Sequence, residues 1–183
     1  MAIADTALPY GLREVEVTPI DAAGELGTAV KLPNAQTFSF EEAEEFAELR
    51  GDDRLIAVRG SGPTVNWSLE AGGVSLDAWK VLTGGAVESD GTTPAETKTL
   101  TKLASDTRPY FRVRGRAISD SGGDIECVLP RCRVTGNLSG EFSDGEFFIT
   151  ECDGQAMADP TAAEGSDIVY EFIQKETAAA LGS

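Results

Sequence analysis

The chain has 183 residues and a mass of 19.3 kDa, enough for one sizeable hydrophobic core, and 41% of its residues are hydrophobic. Its 31 Asp and Glu outnumber 15 Lys and Arg, and the resulting formal charge of −16 repels a phosphate backbone and argues against affinity-seeking contact with nucleic acid. The absence of histidine excludes Ser-His-Asp, Cys-His and Cys2His2 zinc arrangements within one chain, and Cys127, Cys132 and Cys152 fit no close metal-ligand spacing, so they read as buried structural thiols suited to a reducing cytoplasm.

Residues 1–12 read as a short N-terminal arm. Asp5 interrupts their apolar start and no basic segment precedes it, so neither signal peptide nor membrane anchor is expected, and the protein is expected to be soluble. From Leu12 to Pro19, Val15 and Val17 alternate with Glu14, Glu16 and Thr18, a half-exposed strand. Gly24 and Gly27 turn the chain, Ala29 to Leu32 pair back, and Pro33-Asn34 break the pairing. A strand from Gln36 carries Phe38 and Phe40 on one face.

Residues 41–54 then carry seven acids against two arginines, before Leu55 to Gly60 resume a strand pattern. A short charged helix fits the propensities of Ala, Glu and Leu, but Phe46 and Leu49 give it only a thin apolar stripe. A long hairpin turning at Arg50-Gly51-Asp52-Asp53 keeps both flanking strands continuous and is the expectation. Either form projects over about residues 41–60. The projection is either a solvated loop or a contact surface for a partner that covers Phe46 and Leu49.

Residues 63–85 organise the remainder. Val65, Trp67 and Leu69 alternate with Thr64, Asn66, Ser68 and Glu70, which predicts a strand with one apolar face. After Gly72-Gly73 the period changes: Leu76, Trp79 and Leu82 recur behind Ser75, a candidate N-cap, and Gly84-Gly85 stop the run. The predicted helix is roughly 13 Å long at about 1.5 Å per residue, too short to stand without a sheet beneath it.

Residues 86–96 have the profile of a surface loop, and Thr97–Leu103 predict a strand centred on Leu100. Pro109–Ile118 alternate, with Phe111 and Val113 opposite Arg112, Arg114 and Arg116; these arginines either bind phosphate or, as expected in so acidic a chain, neutralise acidic partner strands. Ile125–Thr135 and Gly145–Cys152 predict further strands, with Phe147, Phe148 and Ile149 implying cover on both faces. Asp153–Gly165 read as loop. Ile168–Ile173 predict the last strand, apolar on both faces as if held between a sheet and a helix or a neighbouring chain, and residues 174–183 predict a frayed or flexible tail.

The expected fold is a single mainly β domain spanning 1–183, with about eight to ten strands in an antiparallel sandwich or partly closed barrel, one short flanking helix and a long projecting hairpin or loop. No repeat, dinucleotide fingerprint, phosphate loop or basic-aromatic interleaving occurs. No cofactor or metal is implied, and an enzyme is not expected.

The N-terminal strand with Leu12–Pro19, the strand before a long charged hairpin, and above all residues 67–85, a strand feeding a short Leu/Trp helix that ends in Gly-Gly, resemble the major tail tube protein of long-tailed, non-contractile bacteriophages. The resemblance covers roughly residues 8–175 and rests on element order and composition. Related folds form the inner tubes of contractile tails and of bacterial secretion and injection systems, so the fold alone does not separate these. The resemblance implies hexameric rings stacked into a hollow tube around the tape-measure protein, contact with other tail proteins, transient non-specific passage of DNA, and no membrane. It implies a location in the virion tail, with assembly in the host cytoplasm.

On that reading Phe46, Leu49, Arg50, Asp52, Asp53 and Arg54 contact the next ring. Trp67, Leu69, Leu76, Trp79 and Leu82 pack the core and helix, and Glu14, Glu16, Glu41 and Glu70 are candidate lumen acids. Arg112, Arg114 and Arg116 would be awkward in a lumen and are expected to face acidic protein groups. A capsid decoration domain, or a carbohydrate- or protein-binding sandwich, has the same composition and is the alternative.

Overall fold

The structure, a computed structural model, describes residues 5–158 and 167–181. Residues 1–4 of the arm, most of the 153–165 loop with Pro160, and the last two residues of the tail lie outside the described residues.

Eleven strands and one helix follow the order β1 (Pro9–Ile20), β2 (Val30–Leu32), β3 (Ala35–Gly51), β4 (Arg54–Gly72), α1 (Leu76–Thr83), β5 (Ala86–Asp90), β6 (Thr97–Thr101), β7 (Tyr110–Ser119), β8 (Asp124–Arg133), β9 (Leu138–Ser139), β10 (Ile149–Ala156) and β11 (Glu171–Lys175). The main sheet runs β2-β1-β7-β8-β10-β4-β3, antiparallel throughout, with β11 added to β8 and β9 to β10. It folds over on itself without closing into a barrel. The β3 side lies over the β1-β7 side, as shown by Gly115 of β7, where an added Cβ would overlap the Phe38 ring of β3. Trp67 of β4 meets Phe111 of β7 edge-on at 5.7 Å between ring centroids. The result is a sandwich whose core joins Val15, Val17, Val65, Trp67, Leu69, Phe111, Val113, Leu129 and Cys152.

The alternation read from residues 63–70 holds: Val65, Trp67 and Leu69 are buried and their neighbours point outward. The period change holds too. Ser75 caps α1 through a hydrogen bond from the Ala78 N–H to its Oγ, and Gly84, with φ of 82°, ends the helix while its N–H donates to the Lys80 carbonyl. The buried face is Ala78, Val81 and Leu82, so Leu76 and Trp79 flank the contact and do not form its centre. Trp79 is half-buried and its Nε1 donates to Thr150 Oγ1 at 3.1 Å, fastening the helix to the start of β10.

Several boundaries differ from expectation. Residues 9–12 belong to β1 and are not part of an arm. Residues 86–96 are not plain loop, because Ala86–Asp90 pair with Thr97–Thr101 in a separate hairpin beside α1. The strand expected at Gly145–Cys152 runs instead from Ile149 to Ala156, and Phe147, expected to be covered, is 95% exposed. Its inner face is Thr150, Cys152, Gly154 and Ala156, all small; at Gly154 a Cβ would overlap the Arg133 carbonyl oxygen and stand 2.7 Å from the Trp67 ring. A face without large side chains leaves no hydrophobic alternation to read.

The last strand is Glu171–Lys175 and lies at the surface, with Phe172 stacked against Phe40 yet half-exposed. The expected flexible tail is ordered through Leu181. Lys175 pairs with Glu126, the Ala179 N–H donates to Asp124 Oδ2 at 2.8 Å and the Leu181 N–H donates to Glu14 Oε2 at 2.8 Å.

Candidate assembly surfaces

Three surfaces collect the residues singled out by the sequence. The first is the distal half of the β3-β4 hairpin. Beyond Val65 the pairing continues from Thr64 with Ala43 to Gly51 with Arg54, and among the described residues no second layer stands behind it. At about 3.3 Å per residue this is an arm of roughly 30 Å. Asp52 and Asp53 close it with φ of 50° and 58°, the two left-handed residues of a type I′ turn, whose twist matches that of the flanking strands.

Phe46, Leu49, Arg50, Asp52, Asp53 and Arg54 are thus brought together on one projection, all exposed. Arg50 is tied to Glu48 at 2.7 Å. The return strand adds Leu55, Ile56 and Val58, which sequence reasoning placed in a strand without marking their exposure; Phe46 is 61% and Ile56 63% accessible. Phe46 and Val58 stand on one face of the ribbon, Leu49 and Arg59 on the other, as the cross-strand pairs require. An isolated two-stranded ribbon is marginal in water, and this one carries five large apolar side chains over its two faces that nothing among the described residues covers. Among the described residues the outer edge of β3 has no strand partner along its 17 residues, an open row of backbone donors and acceptors.

The second surface is the outer face of β3, β4 and β10. The register lines up Glu41, Asn66 and Gln155 in one row, Ser39, Ser68 and Asp153 in the next, and Thr37, Glu70 and Glu151 in a third. Four carboxylates and no cation occupy these nine positions. Thr37 Oγ1 donates to Glu70 at 2.9 Å and the Ser39 and Ser68 hydroxyls meet at 2.6 Å. Glu41 and Glu70, expected together, do share this face. Asp153 was missed because the strand was ended at Cys152, and Glu151, although inside the expected strand, was not singled out.

Glu14 and Glu16 lie elsewhere, on the outer face of the opposite layer, so the four candidate acids do not share one face. Glu16 is 2% and Glu126 0% exposed, and Arg114 bridges them at 3.0 and 2.9 Å. Arg116 bridges Glu14 and Asp124, each at 3.2 Å. The tail from Lys175 to Leu181 supplies further donors to this cluster. Glu16 is thus withdrawn from the surface of the chain, whereas Glu14, held by Lys31, Arg116 and the Leu181 N–H, keeps about a quarter of its side chain exposed.

Burial pushes Glu126 up, but the hydrogen bonds and charges of Lys175 and Arg114 outweigh it and hold it below its ordinary value of 4.5. The Leu181 N–H leads the groups that hold Glu14 low. Arg114 and Arg116 thus face acidic protein groups, as expected. Arg112 does so less completely: its Nε finds no hydrogen-bond partner, and burial and the neighbouring Arg114 lower its basicity against the pull of Glu16.

The third surface lies at the opposite end of β4 from the arm tip. The segment 140–148 turns back through Gly145, and its Phe148 carbonyl accepts from the Gly73 N–H at 2.7 Å. Phe142 stacks on Phe148 at 4.7 Å and yet is 90% exposed. Beside it is a notch of about 420 Å³ bordered by Glu141, Glu146, Phe147, Ile149 and Glu151.

Cys127, Cys132 and Cys152 are all buried free thiols; burial pushes Cys127 up to about 11 and Cys152 to about 12, so neither is a nucleophile near neutrality. Among the described residues no group of three acidic, Cys or His side chains is placed to hold a metal ion, and no helix is long and apolar enough to cross a membrane. No protein-family model matches the chain, and a search of curated proteins finds no match.

Proposed function

We propose that this chain is a structural subunit that self-assembles into closed rings, hexameric by the sequence resemblance, and that the rings stack into a hollow tube of the phage tail type. The observation that carries the reading is the arm: five large, exposed apolar residues on a ribbon with, among the described residues, no layer behind it and no strand paired to its outer edge. Burying half of each such side chain contributes a gross total of about 4–7 kcal/mol per subunit, comparable with the cost of immobilising a partner, so stacking requires the arm together with lateral contacts along sheet edges. Lateral pairing of edges in a closed ring removes the open-edge liability, whereas arm contacts between rings are heterologous and extend a filament.

The acidic outer face of β3, β4 and β10 suits a wall past which DNA moves without binding. A basic wall would hold duplex through many phosphate contacts, and an acidic one offers no such wells. Screening over about 8–10 Å confines the repulsion to the region near the wall. In this role the protein catalyses nothing; its partners are further copies of itself, the tape-measure protein and other tail proteins, and it resides in the virion tail after assembly in the host cytoplasm.

Replacing residues 46–59 with a short Gly-Ser turn tests the reading. The expected result is a folded chain, by tryptophan fluorescence, that no longer forms long tubes in electron micrographs. Tubes of ordinary length from that variant would sink the stacking role, and a wild-type chain that stays monomeric at high concentration would favour a decoration or ligand-binding sandwich.

A further inference from the structure

We infer that Arg112 is the receptor for a carboxylate supplied by a second copy of this chain, completing the third rung of a ladder whose first two rungs close within one copy. The inference rests on the self-assembly reading and adds a contact which that reading does not name. On the outer face of β1 and β7 the register sets Glu14 against Arg116, Glu16 against Arg114 and Thr18 against Arg112. From β8, Asp124 joins the first rung and Glu126 the second, so each of those arginines bridges two carboxylates. At the third rung β1 offers a hydroxyl in place of a carboxylate, and the β8 residues nearest to Arg112 across its cleft, Val128 and Pro130, carry no charge.

Both members of the third rung are left short of partners. Among the described residues Arg112 makes no ion pair, its Nε has no acceptor, and the Oγ1 of Thr18, a residue only 2% exposed, has no hydrogen bond. Unpartnered polar atoms of this kind are rare in folded proteins and mark a place where a partner is missing. Further along the same face the Arg131 and Arg133 guanidinium groups lie over the Tyr110 ring at 4.2 and 5.1 Å, so positive charge gathers here in a chain of formal charge −16. Arg112 opens onto a cleft of about 360 Å³, room for an incoming side chain, with the exposed Leu26 and Pro130 as apolar border. Glu25 and Glu171 on its rim oppose a run of phosphates but leave the guanidinium free to take one carboxylate through paired N–H donors. The second copy is the occupant that fits: copies of charge −16 repel, each offers acidic side chains in twofold excess over basic ones, and an unpaired guanidinium on one copy offsets part of that repulsion where a carboxylate of the other meets it.

Two variants test this by sedimentation and electron microscopy at low salt. Arg112→Met removes the receptor, and Thr18→Glu supplies the missing carboxylate from within the chain, as Glu16 does for Arg114. Each is expected to raise the concentration needed for association by about tenfold and to make association less dependent on NaCl than in wild type, with Arg112→Lys in between. Arg112→Met strands no buried carboxylate, so its tryptophan fluorescence is expected to stay native, and it decides the matter alone if Thr18→Glu does not fold. Folded Arg112→Met chains that associate like wild type would overturn the receptor role and leave tube formation intact. Association that depends on Arg112 but yields no tubes would support the receptor and sink the tube. A wild type that stays monomeric at high concentration would sink both. Retention of a short duplex DNA by wild type, lost in Arg112→Met with association unchanged, would reassign the site to phosphate and overturn the inference.

Discussion

Arg114→Met isolates the buried ion cluster that the sequence only hinted at. Arg114 Nη1 donates to Glu16 at 3.0 Å and Nη2 to Glu126 at 2.9 Å, and both carboxylates are essentially inaccessible to water. Methionine keeps much of the volume of the arginine stem but leaves Glu16 without the donor that this bridge supplies and Glu126 with Lys175 alone. Breaking a buried pair from one side costs about 3–5 kcal/mol, because the remaining charge loses its compensation and stays out of water. With a urea slope of about 2 kcal/mol/M, the unfolding midpoint falls by about 1.5–2.5 M. Urea titration followed by tryptophan fluorescence, in chains that also carry the shortened arm, measures this free of assembly. Adding Glu16→Gln to Arg114→Met restores part of the loss, since a neutral amide is cheaper to bury, and Arg114→Lys, which reaches only one carboxylate at a time, falls between. A loss below about 1 kcal/mol for Arg114→Met would show that the cluster is hydrated, and the account of β1, β7 and the tail as one sealed unit would fail.

Two further outcomes follow from the same geometry. Trp67→Ala is expected to cost about 3–5 kcal/mol, since the ring is buried against Phe111, whereas Trp79→Ala costs about 1–3 kcal/mol for a half-buried ring with one hydrogen bond; equal losses in urea unfolding would contradict this placement of the helix. Glu14 and Glu126 are held below their ordinary 4.5, so the stability they contribute is present above that value and is lost as pH falls through their lowered folded values; the urea midpoint should drop as pH falls below 4.5, and more shallowly in Glu126→Gln.

The parts of the fold legible in the sequence are those where large side chains alternate. Val65, Trp67 and Leu69, the Ser75 cap, Phe111 and Val113 opposite three arginines, and the Asp52-Asp53 turn each carry a local rule that the tertiary structure obeys. The misplacements share a different cause. In β10 the alternation is written in Thr150, Cys152, Gly154 and Ala156, whose small side chains give little hydrophobic contrast, and at Gly154 the Arg133 carbonyl and the Trp67 ring occupy the space a side chain would need. The tail looked polar and frayed because its order comes from backbone N–H groups donated to Asp124 and Glu14 more than 50 residues away. Glu16 looked like a surface acid because period-two alternation tells one face from the other but not that Arg114, 98 residues later, pairs with it in a buried cluster. The arm was visible as a charged projection with two apolar residues; Leu55, Ile56 and Val58 read as ordinary strand because nothing local says that a strand has no layer behind it.

The central claim is that the arm and the open sheet edges exist to be covered by further copies of the chain. Cryo-electron microscopy of the purified protein at high concentration tests it most directly. The account predicts hollow tubes in which Phe46, Leu49, Leu55, Ile56 and Val58 are buried against adjacent copies and Glu41, Glu70, Glu151 and Asp153 face the channel. A monodisperse monomer under the same conditions, or a tube with a predominantly basic channel, would contradict it.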